Sequence, residues 1–141
     1  MRSGECVPES TKAVKAVLDE EYDEVGTFGR KVDLLFHAHG QELANLEFKI
    51  AEATQSEIEI QHRKNIRLNR AIMESQHKAS GLKSALLFLD FQGWHGGLFA
   101  LYPFEDVFVS KYLGSVELPR SERGLKRFLQ GDTLKLLYIF T

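Results

Sequence analysis

Lys31-Val32-Asp33-Leu34-Leu35-Phe36-His37, then a loop at His39-Gly40-Gln41, then Glu42 to Ile50 ending in Leu46-Glu47-Phe48-Lys49-Ile50, is the stretch on which the fold turns. Both flanks are rich in β-branched, aromatic and aliphatic residues, and the loop carries the glycine of a tight turn, so the stretch reads as a β-hairpin. Side chains alternate along a strand. Leu46, Phe48 and Ile50 therefore share one face and Glu47 and Lys49 the other, while Asp33 lies on the face of Leu35 and His37. A turn at residues 39–41 sets Ala38 opposite Glu42, and counting outward sets Asp33 opposite Glu47. Two carboxylates and an ammonium gather at one place. Close carboxylates repel, and burial raises their energy unless a cation intervenes. A magnesium-type ion takes such oxygens and keeps water positions for a phosphate, while Lys49 would hold the attacking water or steady charge on phosphorus. The plainer alternative makes Glu47 and Lys49 solvent-facing and Asp33 half of a surface ion pair; the apolar setting of each charge favours the site.

Outward from the hairpin, 141 residues suit one domain, with residues 1–10 as a polar, disordered lead-in and 11–141 as the folded unit. No apolar run of about 18 residues predicts a membrane span. Residues 1–8 lack the apolar centre of a secretory signal, and the single cysteine, Cys6, suits a reducing compartment. The expectation is an intracellular protein, cytoplasmic or nuclear, neither secreted nor membrane-bound. A net charge of −2 excludes bulk attraction to polyanions, but the charge is segregated. Asp19, Glu20, Glu21, Asp23 and Glu24 cluster early, whereas Arg63, Lys64, Arg67, Arg70 and Lys78 cluster later.

The spacing of Val14, Val17, Leu18 and Tyr22 predicts a helix from Ser10, capped by Ser10 or Thr11 and ended by Gly26 and Gly29. Thr54 to Ser80, free of proline and glycine, predicts one long helix. Lys83–Gln92, Leu98–Pro103 and Val107–Glu117 read as a three-strand meander, Ser121 caps a short helix to Gln130, and a last helix or strand runs to Phe140. The predicted class is α/β (α+β), in the order α-β-β-α-β-β-β-α. Ile58, Ile66, Leu68, Ile72 and Met73 mark the apolar face of the long helix, and Gln61, Asn65, Asn69 and Gln76 fall inside it. Such amides either support a site or bond to sheet-edge backbone. Asp90, ending an apolar strand, reads as a strand terminus or an extra polar contact, and the five histidines lack zinc-type spacing.

Arg30-Lys31-Val32-Asp33-Leu34-Leu35-Phe36, Leu46-Glu47-Phe48-Lys49 and the helix that follows resemble the core of the PD-(D/E)XK nuclease superfamily over roughly residues 12–92. The resemblance implies a restriction-endonuclease-like mixed central sheet flanked by helices and a metal-dependent phosphodiesterase using magnesium or manganese. Asp33 and Glu47 would be metal ligands and Lys49 the catalytic lysine. Val32 stands where the motif has proline, and only Val25–Phe28 is available as the strand before the Asp strand. Members often present an acid from the first helix; Glu21, inward on the stripe of Val14, Val17 and Leu18, fits that place as a third ligand. The recombination branch carries a glutamine four residues before a tyrosine in the matching helix; Gln61 fits, with Asn65 replacing the tyrosine. Arg63, Arg67 and Arg70, with Lys64, form a basic ridge for nucleic acid, DNA ahead of RNA, and a homodimer is compatible with the family. The competing reading is a catalytically inactive or unrelated α+β module that binds a protein or nucleic acid.

Overall fold

His39 and Gly40 both adopt positive φ, 50° and 77°, the conformation a two-residue type I′ turn requires. They join β2 (Val32–Ala38) to β3 (Gln41–Lys49) as an antiparallel hairpin in a computed structural model that describes residues 2–12, 32–81 and 84–140. The turn is one residue tighter than expected, pairing Ala38 with Gln41, and a bulge after His37 returns that residue, so that Phe36 faces Ala44 and Leu34 faces Leu46. The two departures cancel. The ladder ends at Leu34 and Leu46, and one further step along it sets Asp33 level with Glu47, where Asp33 Oδ2 accepts from the neighbouring Phe48 N–H.

The free edge of β2 is filled by β1 (Arg2–Cys6), antiparallel to it. This corrects the disordered lead-in expected for residues 1–10: an open strand edge offers unpaired backbone groups that even a polar segment can satisfy, a demand that local composition does not record. Residues 9–12 form a helical turn. Its first amides are capped by the Glu42 carboxylate, which accepts from the Ser10 N–H at 3.0 Å, rather than by Ser10 or Thr11. The remainder of the expected first helix and the Val25–Phe28 strand lie outside the described residues.

Helix α1 (Gln55–Ser80) begins in a capping box, with Glu57 N–H donating to Thr54 Oγ1 and Thr54 N–H donating to Glu57 at 2.8 Å, and ends at Gly81 with φ 71°. It carries the chain across the sheet so that β4 (Leu86–Gln92) lies parallel to β3, the pairing that needs a crossover. β5 (His95–Phe104) and β6 (Val107–Glu117) complete the expected meander. The result is an α+β domain with a six-stranded mixed sheet in the order β1-β2-β3-β4-β5-β6. Two short helices follow, α2 (Glu122–Gln130) and α3 (Asp132–Phe140). The observed order among the described residues is thus β-β-β-α-β-β-β-α-α, against the expected α-β-β-α-β-β-β-α. No helix among them is long and apolar enough to cross a membrane.

Leu68, Ile72 and Met73 of α1 pack on Leu35, Leu86, Phe88 and Leu101 on one face of the sheet; Leu136 and Leu137 of α3 pack against the Leu46, Leu89, Phe91, Leu98 and Val116 cluster. Between α1 and the sheet lie three buried asparagines. Pairing of β3 with β4 begins at Leu46, so Asn45 has no strand neighbour on that side. Asn69 Oδ1 accepts from the Asn45 N–H at 3.0 Å, and Asn65 donates to the Leu89 carbonyl at 3.0 Å and accepts from the Asn45 side chain at 2.9 Å. Gln76 likewise donates to the Glu42 carbonyl at 2.8 Å. These three amides serve sheet backbone, and they fix α1 on the sheet. Asn69→Ala leaves the buried Asn45 N–H without a partner and is expected to lower the unfolding free energy by about 1–3 kcal/mol. Urea denaturation measures this, and a loss under about 0.5 kcal/mol, the range of a neutral surface change, contradicts the role.

Candidate active site

Glu47 on β3 pairs with Asp90 on β4, and Asp33 on β2 stands one step beyond the last β2–β3 pair, Leu34–Leu46, close enough for its charge to act on Glu47, so the three form one polar row. Residues directly opposite in a ladder project to the same face, here the face that α1 covers. Glu47 is 3% exposed. Its Oε2 accepts from Lys64 Nζ at 2.8 Å, and its Oε1 is buried with no partner among the described residues. Burial pushes the Glu47 pKa above its ordinary value, assisted by the Asp33 and Asp90 charges and partly countered by Lys64. At the start of β2, Asp33 Oδ2 accepts from the Phe48 N–H at 2.8 Å.

Asp90 is tied to α1 through both oxygens. Gln61 Nε2 donates to Oδ1, and His62 Nδ1 lies 2.9 Å from Oδ2. Gln61 also donates to the Phe91 carbonyl at 3.3 Å, while its own Oε1 is buried without a partner among the described residues. This pairing was only partly readable beforehand. Asp90 carries a hint in being a charge at the end of an apolar strand, but His62 has no spacing signal, because its partner comes from a strand distant in sequence.

Beside Asp90 opens a cleft of about 330 Å³ between the start of α1 and the β4–β5 hairpin, walled by Lys49, Gln61, His62, Gly97, Phe99 and Tyr112. A Cβ at Gly97 would meet Phe99 at 2.7 Å and Tyr112 at 3.1 Å, so glycine there leaves the aromatic wall in place. The polar groups of the row and the mouth of the cleft adjoin at Asp90.

The expected site residues fare differently. Asp33 and Glu47 share a face and are electrostatically coupled, Lys49 is exposed at the cleft, and Gln61 faces the row. Glu21 lies outside the described residues. Lys64 leaves the basic ridge, since its flexible stem reaches inward from the helix flank to Glu47. Arg63 lies 3.8 Å from Glu59, and Arg70 pairs with Glu74 at 2.9 Å and stacks over Phe108 at 4.5 Å. Arg67 is exposed, with no such partner among the described residues. Among those residues no three His, Cys, Asp or Glu side chains form a ready-made metal centre; α1 engages both oxygens of Asp90 and one of Glu47, which leaves Glu47 Oε1 and the Asp33 carboxylate as the oxygens the row offers.

No family model, curated protein or solved structure matches this chain.

A glutamate whose pKa is raised on folding stabilises the fold fully below its unfolded value, near 4.5, and that contribution is lost as pH rises through the raised value. Glu47→Gln removes the titration. The variant's stability relative to wild type is therefore expected to increase as pH climbs from the ordinary glutamate range toward neutrality, read from urea midpoints. A difference constant with pH contradicts the burial of an ionisable Glu47.

Proposed function

We propose that the chain is a metal-dependent nuclease-like phosphodiesterase acting on nucleic acid, built on a core that resembles the PD-(D/E)XK superfamily. The observation that carries this reading is Glu47: a carboxylate 3% exposed, one oxygen of which has no partner among the described residues, paired with Asp90 and within reach of the Asp33 charge. Burying a charge in this way lowers stability unless something binds it. The donor set fits a hard divalent ion, because Asp33 and Glu47 supply carboxylate oxygens on one face. When bound, magnesium or manganese would neutralise the two acids and polarise a phosphoryl oxygen. Lys49, exposed at the cleft mouth, holds the attacking water and steadies negative charge on phosphorus. Gln61 Oε1, buried and without a partner among the described residues, orients that water by accepting from it. Glu21 remains the proposed third acid.

A second reading rests on Lys64. Its ammonium already answers half the charge of Glu47, as in an inactive module that keeps the fold to bind a protein or nucleic acid. Cleavage separates the two. With magnesium or manganese, wild-type protein is expected to cut DNA, while Asp33→Asn and Lys49→Ala lose at least about a hundredfold in rate. Equal action, or none, by all three favours the binding module.

Nucleic-acid affinity depends on Arg67, the ridge arginine that no carboxylate among the described residues answers. Arg67→Ala is expected to reduce the slope of log affinity against log salt by about one, as for loss of one phosphate contact. Arg63→Ala and Arg70→Ala, whose charges are answered by Glu59 and Glu74, change it less. Fluorescence anisotropy across a salt series reads both, and equal slopes for all three variants and wild type contradict the assignment.

A further inference from the structure

We propose that His62, oriented by Asp90, is a proton donor to the leaving-group oxygen of a phosphodiester held in the cleft, an assignment that rests on the phosphodiesterase reading of the same site. His62 Nδ1 lies 2.9 Å from Asp90 Oδ2, and the Asp90 side chain is 11% exposed, so water competes little for that bond. Gln61 holds the other Asp90 oxygen, which fixes the plane of the carboxylate. The imidazole is flanked by Phe99 at 4.6 Å and Phe88 at 6.2 Å between ring centres, and this restricts its swing. Nδ1 is thereby committed, and Nε2, for which the described residues provide no partner, is the nitrogen left for a ligand in the cleft that His62 lines. A carboxylate that orients Nδ1–H and leaves Nε2 for the reacting group is the arrangement of an acid–base histidine. Lys49 lines the same cleft, so the nucleophile's position and the donor flank one space.

The water oxygen forms a bond to phosphorus and its proton passes to solvent. The bond from phosphorus to the departing oxygen breaks, that oxygen keeps the electron pair, and protonated His62 gives it the Nε2 proton. Solvent reprotonates Nε2, while Asp90 stays ionised and holds Nδ1–H throughout.

A donor matters only where the leaving group needs a proton, so two substrates test the role with manganese present: a DNA oligonucleotide, whose sugar alkoxide leaves poorly, and thymidine 5′-(p-nitrophenyl phosphate), whose nitrophenolate leaves unaided. His62→Gln is expected to lose about 10²–10⁴-fold on the oligonucleotide, the usual worth of acid–base catalysis, and less than about tenfold on the nitrophenyl ester. Asp90→Asn should follow the same pattern to a smaller extent. Circular dichroism melts confirm folding first, and if His62→Gln does not fold, His62→Asn takes its place. Equal losses on both substrates overturn the donor role and leave the phosphodiesterase reading standing. Wild-type protein inert toward both substrates overturns the two together.

Discussion

The β3/β4 register governs this molecule, because it sets Glu47 beside Asp90 beneath a helix that excludes water. With Asp33 one step beyond the last hairpin pair, three acids lie in one row on the face that α1 covers. An arrangement of this kind opposes folding: desolvation raises the energy of the buried Glu47 carboxylate and the charges of Asp33 and Asp90 add to it. Lys64, Gln61 and His62 answer it from one helix, each reaching a carboxylate of the row. The oxygens without a partner among the described residues, Glu47 Oε1 and Gln61 Oε1, mark where a ligand's charge would be most strongly felt.

The helix can meet the row in this way only because it is fixed in register with the sheet. Apolar contacts through Leu68, Ile72 and Met73 hold it down without selecting its rotation or slide finely. Asn65 and Asn69 select both, since each must reach particular backbone groups at Asn45 and Leu89. Four residues before Asn65, the same helix stripe delivers Gln61 to Asp90. The amides that bond backbone of the central strands β3 and β4 and the amide that faces the acids thus belong to one ladder with two tasks.

Much of this was legible in the sequence because it depends on local periodicity. The alternation around Glu47 fixes its face, the run from Thr54 to Ser80 without proline or glycine bounds α1, and the wheel separates the buried amides from the arginines. The shorter turn at His39-Gly40 passed unnoticed without harm, because the bulge restored the pairing at Leu34 and Leu46. The misses share one cause. β1, the Glu42 cap, the inward turn of Lys64 and the His62–Asp90 pair all join segments far apart in the chain, and neither propensity nor spacing encodes such partners. Lys64 is the clearest case: on a helical wheel it belongs with the arginines, but a long flexible stem and a buried carboxylate within reach decide its position.

The central claim is that Asp33 and Glu47 form a cation site, and manganese binding tests it without requiring turnover. Isothermal titration of wild-type protein with manganese chloride, beside Asp33→Asn and Glu47→Gln, reads the site directly. The account predicts saturable binding in wild type that weakens by at least about tenfold in each variant. Binding of equal strength in all three proteins, or none in wild type, would contradict it.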